Sequence, residues 1–229
     1  MRAEVTVTPM SGVKTVQLIN DGDGSRRRQF GEEFITEAEM QERKYRPAMR
    51  VIPAGGFEIA QTEVTQAQWR AVMGNNPSYF SSCGDDCPVE NVSWDDVQGY
   101  LIKLNQMTGK QYRLPTESEW KLACDGGSSQ EYCGSNNLDA VGWYSGNSSM
   151  KAHPVGQKQA NGYGLYDMSG NVWEWMQDCD EGDCSKRVLR GGSWDINSVL
   201  AHASFRNGLS PTWRSNYVGF RVVRSARAD

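Results

Sequence analysis

Two carboxylates seven positions apart, Asp167 and Glu174, bracket the run Asp167-Met168-Ser169-Gly170-Asn171-Val172-Trp173-Glu174. A Gly-Asn turn between two acids can aim backbone carbonyls inward, and an oxygen-rich cage of that kind is what calcium prefers. The competing account has both acids only capping a turn by hydrogen bonds, as Asp often does. The thiols offer different chemistry. Six cysteines fall into three close pairs, Cys83 with Cys87, Cys124 with Cys133 and Cys179 with Cys184, each in or beside a Gly/Asp-rich loop. Such spacing suits short disulfide loops in an oxidising compartment. Zinc fits worse, because no interval is CxxC and His153 and His202 are the only histidines. Reduced bystander thiols are a third account, and connectivity stays open. Triad hydrolysis has no G-x-S-x-G elbow to stand on.

The elements that must position these groups can be read from local signals. A chain of 229 residues with 38% hydrophobic content can bury one sizeable core. Residues 1–46 differ in composition from the rest: VTVTPMSGVKTVQLI reads as a strand or two, NDGDGS as a turn and EEFITEAEMQERK as a surface helix. Residues 47–229 carry no internal linker and read as one domain. MRVIPAGGFEIAQTEV is strand, glycine turn and strand. Thr65 can cap a short helix ending at Gly74. Ser93 with Asp96, and Thr116 with Glu119, form capping boxes before amphipathic helices, the first running to Gly109. Beyond Cys124, Gly, Asn, Ser and aromatic residues dominate with little periodicity, which predicts irregular structure pinned by turns. The fold class is α+β with low regular secondary structure. A net charge of -4 with interspersed signs gives no basic stripe, so nucleic acid is not an expected partner. No apolar run approaches the roughly 20 residues of a membrane span, and no export signal is visible.

The block GLYDMSGNVWEW (Gly164 to Trp175), then Arg190-Gly191-Gly192-Ser193-Trp194 and Val218-Gly219-Phe220-Arg221-Val222, resembles the formylglycine-generating enzyme (sulfatase-modifying factor) family, a variant of the C-type lectin fold. FEIAQTEVTQAQWRAVMG (Phe57 to Gly74), CPVENVSWDDV (Cys87 to Val97) and YRLPTESEWKLA (Tyr112 to Ala123) continue the resemblance from about Met49 to Val223. It implies a structural calcium ion on Asp167, Gly170, Val172 and Glu174. A second family calcium site, at Val141-Gly142-Trp143, lacks its side-chain ligand. The founding enzymes oxidise a sulfatase cysteine with copper held by two cysteines, and those positions fall here on Ile196 and Ala201. Neither side chain can ligate copper. No copper and no formylglycine chemistry are therefore expected. The histidine cluster of the iron-dependent sulfoxide synthases is also missing. CGDDCPVENVSWDDV is similar to members acting in pyoverdine maturation, which keeps an oxidoreductase or maturation-enzyme alternative open.

Between Trp194 and Val218 lie 23 residues, DINSVLAHASFRNGLSPTWRSNY, in which apolar and small polar residues mix at no period. A regular frame around an erratic segment points to a binding surface carried on a scaffold. The segment is similar to that of the variable proteins of diversity-generating retroelements. Asp195, Ile196, Asn197, Val199, Leu200, Phe205, Asn207, Gly208, Leu209, Ser210, Ser215, Asn216 and Tyr217 are each reachable from an asparagine codon by changing adenines only; Trp213 is not. The surface expected to meet a ligand comprises Asp195, Ile196, Asn197, Val199, Leu200, Phe205, Asn207, Leu209, Trp213, Ser215, Asn216 and Tyr217. With the cysteine pairs and the missing copper ligands, this reads as a non-catalytic, extracytoplasmic monomer that binds a protein or other surface ligand on a calcium-stiffened scaffold.

Overall fold

The computed structural model describes residues 45–226 and, before them, the backbones of three strands. These are β1 (Gln17–Asn20), β2 (Arg26–Phe30) and β3 (Glu33–Thr36), an antiparallel meander in the order β1-β2-β3. The charged stretch from Glu32 predicts a helix, but Glu33–Thr36 is a strand, paired with β2 from Phe30↔Glu33 to Arg27↔Thr36. Its Phe-Ile-Thr run suits a pleated strand better than a helix. Most of NDGDGS and everything from residue 37 to residue 44 lie outside the described residues. The chain divides into two compact units, Met1–Arg46 and Pro47–Asp229.

In the second unit, β4 (Met49–Ile52) and β5 (Phe57–Ala60) form the expected hairpin, and the last strand, β10 (Val223–Ser225), pairs antiparallel with the other edge of β5. Three helices follow the local signals closely. Thr65 caps α1 (Gln66–Met73), Ser93 caps α2 (Trp94–Thr108) and Thr116 caps α3 (Glu117–Asp125), each in a reciprocal capping box that satisfies otherwise orphaned N–H groups. Their apolar faces meet in the core: Trp69 of α1 stacks on Tyr100 of α2 at 5.2 Å, and both meet Phe220 edge-on. Trp120, Ile52, Phe57, Met168, Met176 and Val188 belong to one buried cluster. A single turn, α4 (Leu138–Val141), precedes a long irregular stretch.

The second sheet, ordered β8-β7-β6-β9, is built on a feature that the sequence conceals. The acidic cysteine-bounded segment reads as a loop, yet β6 (Trp173–Asp180) and β7 (Asp183–Arg190) form a hairpin of two eight-residue strands. Its turn, Glu181-Gly182, has φ of 49° and 81°, the left-handed pair that a two-residue hairpin of this twist demands. Cys179–Cys184 staples the tip, while Cys83–Cys87 and Cys124–Cys133 close the other two short loops, so all six cysteines are bonded. Strand β8 (Arg206–Leu209) lines β7, and β9 (Val218–Gly219) runs parallel to β6.

Gly170 sits where the chain passes the 143 loop. Its φ is +88°, and a Cβ there would lie 2.2 Å from the Trp143 carbonyl oxygen. Gly170→Ala should therefore cost at least about 2 kcal/mol, read by chemical denaturation. Gly99, inside α2, has nothing within 4 Å of its would-be Cβ, so Gly99→Ala should instead add about 0.5–1 kcal/mol from helix propensity. Equal effects of the two changes would contradict this account of the turn.

Candidate functional site

Residues 195–217 are fastened by their backbone. Ser145 N donates to Ile196 O at 2.9 Å, Ala203 N to Glu131 O at 2.9 Å, and Ser169 Oγ to Ala201 O at 3.2 Å, holding the first half against the 131–145 loops. Asn197 caps a 3-10 turn at Ser198–Ala201, its Oδ1 accepting from Leu200 N. The middle is strand β8, in register with β7 from Arg190↔Arg206 to Arg187↔Leu209. The second half is held elsewhere: at and just before the start of α2, Asp95 N donates to Pro211 O and Asn91 N to Ser215 O, while the Trp194 indole donates to Asn216 O. Two arginines act as posts. Arg206 pairs with Glu117 at 3.1 Å and Asp180 at 2.9 Å, and Arg214 forks onto Asp96 at 2.7 Å. Although its partial burial acts the other way, Asp96 is kept below the usual carboxylate range by Arg214 and the Ser93 cap.

Side chains in this segment divide by exposure. Asn197, Val199, Asn207 and Trp213 stand in solvent, with Val199 61% and Trp213 51% exposed. Asp195, Ile196, Leu200, Phe205, Leu209, Ser215, Asn216 and Tyr217 are half-buried. Ile196 packs against Tyr132, Leu138, Val141 and the fully buried Ala201. Phe205 leans on Trp173 at 6.0 Å, and Tyr217 packs with Trp194 and Ala152. These three thus also serve the frame. Tyr79, 70% exposed and edge-on to Phe80, lies outside the segment but belongs beside it: Asn91 bonds both Pro77 O and Ser215 O. No local pattern marks it in the sequence.

The chemistry of the carboxylate block is more constrained than its spacing implies. Glu174 and Arg221 are both fully buried; Glu174 takes Arg221 Nε at 2.7 and 2.9 Å, Nη2 at 2.6 Å and the Trp120 indole N–H at 2.8 Å. Both of its oxygens are committed to these donors, which departs from the ligand role that the resemblance implies. Asp167, 1% exposed, accepts from Gly156 N through Oδ2, while its Oδ1 is buried without a partner. Among the described residues no group of three His, Cys, Asp or Glu side chains is arranged to hold a metal ion. His153 bonds Ser148 O at 2.7 Å and stacks on Trp143, and His202 pairs with Glu131. A cleft of about 280 Å³ is lined by Phe80, Ser82, Cys83, Lys151, Ala152, His153 and Pro154. Its sulfur is in a disulfide, and one imidazole nitrogen is bonded to Ser148 O.

Mixed short helices and sheets, abundant left-handed turns and the GGSW–VGFR frame define the formylglycine-generating-enzyme variant of the C-type lectin fold. The chain belongs to the sulfatase-modifying factor enzyme 1-like domain family, which it matches over residues 8–226. The match begins well before Met49, where the legible motifs start. Among curated relatives, the chaperone protein LppX of Paenibacillus barcinonensis is 35% identical, over 74% of this chain and 80% of that one. The inactive C-alpha-formylglycine-generating enzyme 2 of Bos taurus is 33% identical over 71% of this chain, which spans 58% of that protein. Among solved structures, Treponema denticola variable protein 1 superposes with a TM-score of 0.68 at 33% identity, over 74% of this chain and 84% of that one.

Two measurements test the division between frame and surface. Trp213→Ser should leave unfolding within about 0.5 kcal/mol of the parent, as for a surface change. Phe205→Ser should cost clearly more, on the order of 1–3 kcal/mol, through lost packing on Trp173. Under the same loop, Glu90 is inaccessible, with Oε1 accepting from Phe80 N at 2.8 Å and Oε2 unpartnered. Burial pushes its carboxyl from an ordinary 4.5 up to about 7, against the pull of the Phe80 and Tyr79 backbone bonds. The folded state therefore keeps a proton that the unfolded state releases between those pH values. Its contribution is complete below about pH 4.5 and is lost as pH rises to about 7. A Glu90→Gln variant should show a shallower loss of stability across that window in parallel pH-dependent melts.

Proposed function

We propose that this chain is a non-catalytic ligand-binding protein that displays a variable surface, Asp195 to Tyr217, on a rigid lectin-like scaffold. The observation that carries this reading is the fastening of the segment through main-chain bonds and two arginine posts, while Asn197, Val199, Asn207 and Trp213 face solvent. A surface so built can change side chains without changing its backbone path. The likeness to a solved variable protein supports it, and diversification by a retroelement fits the codon reading. The ligand is a protein or other surface ligand met by a monomer. Exposed Trp213, with Tyr79 beside the segment, supplies the aromatic area that hot spots favour. Three disulfides fit an extracytoplasmic location.

Calcium stiffening of the scaffold is part of this reading. Asp167, with its unpartnered buried oxygen, fits a cation, and Gly170 and Val172 can lend carbonyls; Glu174 serves instead as the counter-ion of Arg221. Copper has no ligands at the family's positions, since Ile196 packs against an apolar cluster and Ala201 is buried.

A library randomised at Val199, Asn207 and Trp213 tests the display reading. Most members should fold with melting temperatures close to the parent, because surface changes cost little. Widespread loss of folding would show that these residues serve the core. Incubation with copper and a cysteine-containing sulfatase peptide should give no formylglycine by mass spectrometry; conversion above a protein-free control would restore the enzyme alternative. Sequencing the flanking DNA should reveal an adenine-rich template repeat beside a reverse transcriptase.

A further inference from the structure

Three carboxylates surround one guanidinium in the core. Glu63, Asp167 and Glu174 are at most 1% exposed and all act electrostatically on the fully buried Arg221. The guanidinium is already spent. Its Nε goes to Glu174, its Nη2 to Glu174 and Tyr166 O, and its Nη1 to Ala60 O and Gln61 O. No N–H is left for the other two acids. Glu63 Oε2 accepts from Asn171 Nδ2 at 3.3 Å and Asp167 Oδ2 from Gly156 N at 2.7 Å, but Glu63 Oε1 and Asp167 Oδ1 are buried with no partner. The two acids are near enough for Asp167 to push the Glu63 carboxyl up, after burial itself.

With all three acids ionised, the cluster would hold a net charge of about −2 out of water, which costs far more than marginal stability allows unless it is compensated. A hard cation meets this need, because it takes one oxygen from each of several carboxylates together with carbonyls. We infer that the scaffold's cation site is formed by Glu63 Oε1 and Asp167 Oδ1, with Glu63 taking the ligand role that the family resemblance assigns to Glu174. This rests on the reading of the scaffold as calcium-stiffened, and it departs from that reading in which acid binds. Glu63 lies over a hundred residues before Asp167 in the chain, so the ion would tie the end of the β5 segment to the 167–174 turn.

The test uses the full chain, with calcium itself as the probe. Thermal melts in excess chelator and in millimolar calcium should differ for the parent by several degrees, and terbium should give tryptophan-sensitised luminescence that calcium competes away. Glu63→Gln keeps an oxygen for Asn171 and removes one buried charge, so it should fold in chelator with a melting temperature at or above the parent's. It should lose the calcium increment and weaken terbium binding at least about tenfold. Asp167→Asn should lose the increment in the same way, whereas Trp213→Ser should keep it. If the parent responds to calcium and Glu63→Gln responds equally, the Glu63 assignment is wrong and the calcium reading survives. If the parent ignores both calcium and chelator while Glu63→Gln raises its melting temperature, the two acids share a proton instead, and the calcium reading falls with the assignment.

Discussion

The buried pairing of Arg221 with Glu174 is the constraint around which the second unit is organised. Arg221 lies between β9 and β10, Glu174 lies on β6, and the guanidinium also reaches carbonyls at Ala60, Gln61 and Tyr166. One side chain therefore ties together the β4-β5 sheet, the β6-β7 sheet and the irregular stretch between α4 and β6. Removing either partner of such a pair leaves an uncompensated charge in the core, which typically costs about 3–5 kcal/mol. The Trp120 indole completes the arrangement by binding the same carboxylate, which couples α3 to the pair.

The scaffold separates backbone path from side-chain identity. A loop carrying a binding surface normally loses definition when its side chains change, because side-chain packing sets its path. Here the path is set by bonds to Ser145, Glu131, Asp95 and Asn91 and by pairing with β7, none of which depends on the side chains at Val199, Asn207 or Trp213; Asn197 differs, because its Oδ1 caps the 198–201 turn. Phe205, Ile196 and Tyr217 compromise between both tasks, with part of each ring or alkyl chain packed and part left in solvent.

What the sequence made legible was local. Capping boxes at Thr65, Ser93 and Thr116 act over three residues, and each cysteine pair closes a loop of at most nine. These signals need no tertiary information. The β6-β7 hairpin was masked because its outer half is acidic and exposed, and a register break between Trp175 and Cys179 spoils its alternation. Glu174 was legible as an important acid but not as a counter-ion, since Arg221 is 47 residues away. Glu63 lies within a motif that carries the resemblance but is not singled out by it: a glutamate between Thr62 and Val64 looks like a surface residue, and only assembly of distant segments makes it a buried one.

The order of these parts along the chain has a consequence for errors. Residues 195–217 lie upstream of Phe220, Arg221 and the closing strand β10, so a frameshift or premature stop within them removes the counter-ion of the core acids along with an edge of the β4-β5 sheet. A chain that reads through the segment in frame regains both. Assembly of the core therefore requires that the reading frame survive residues 195–217, whereas changes to their exposed side chains leave that requirement untouched.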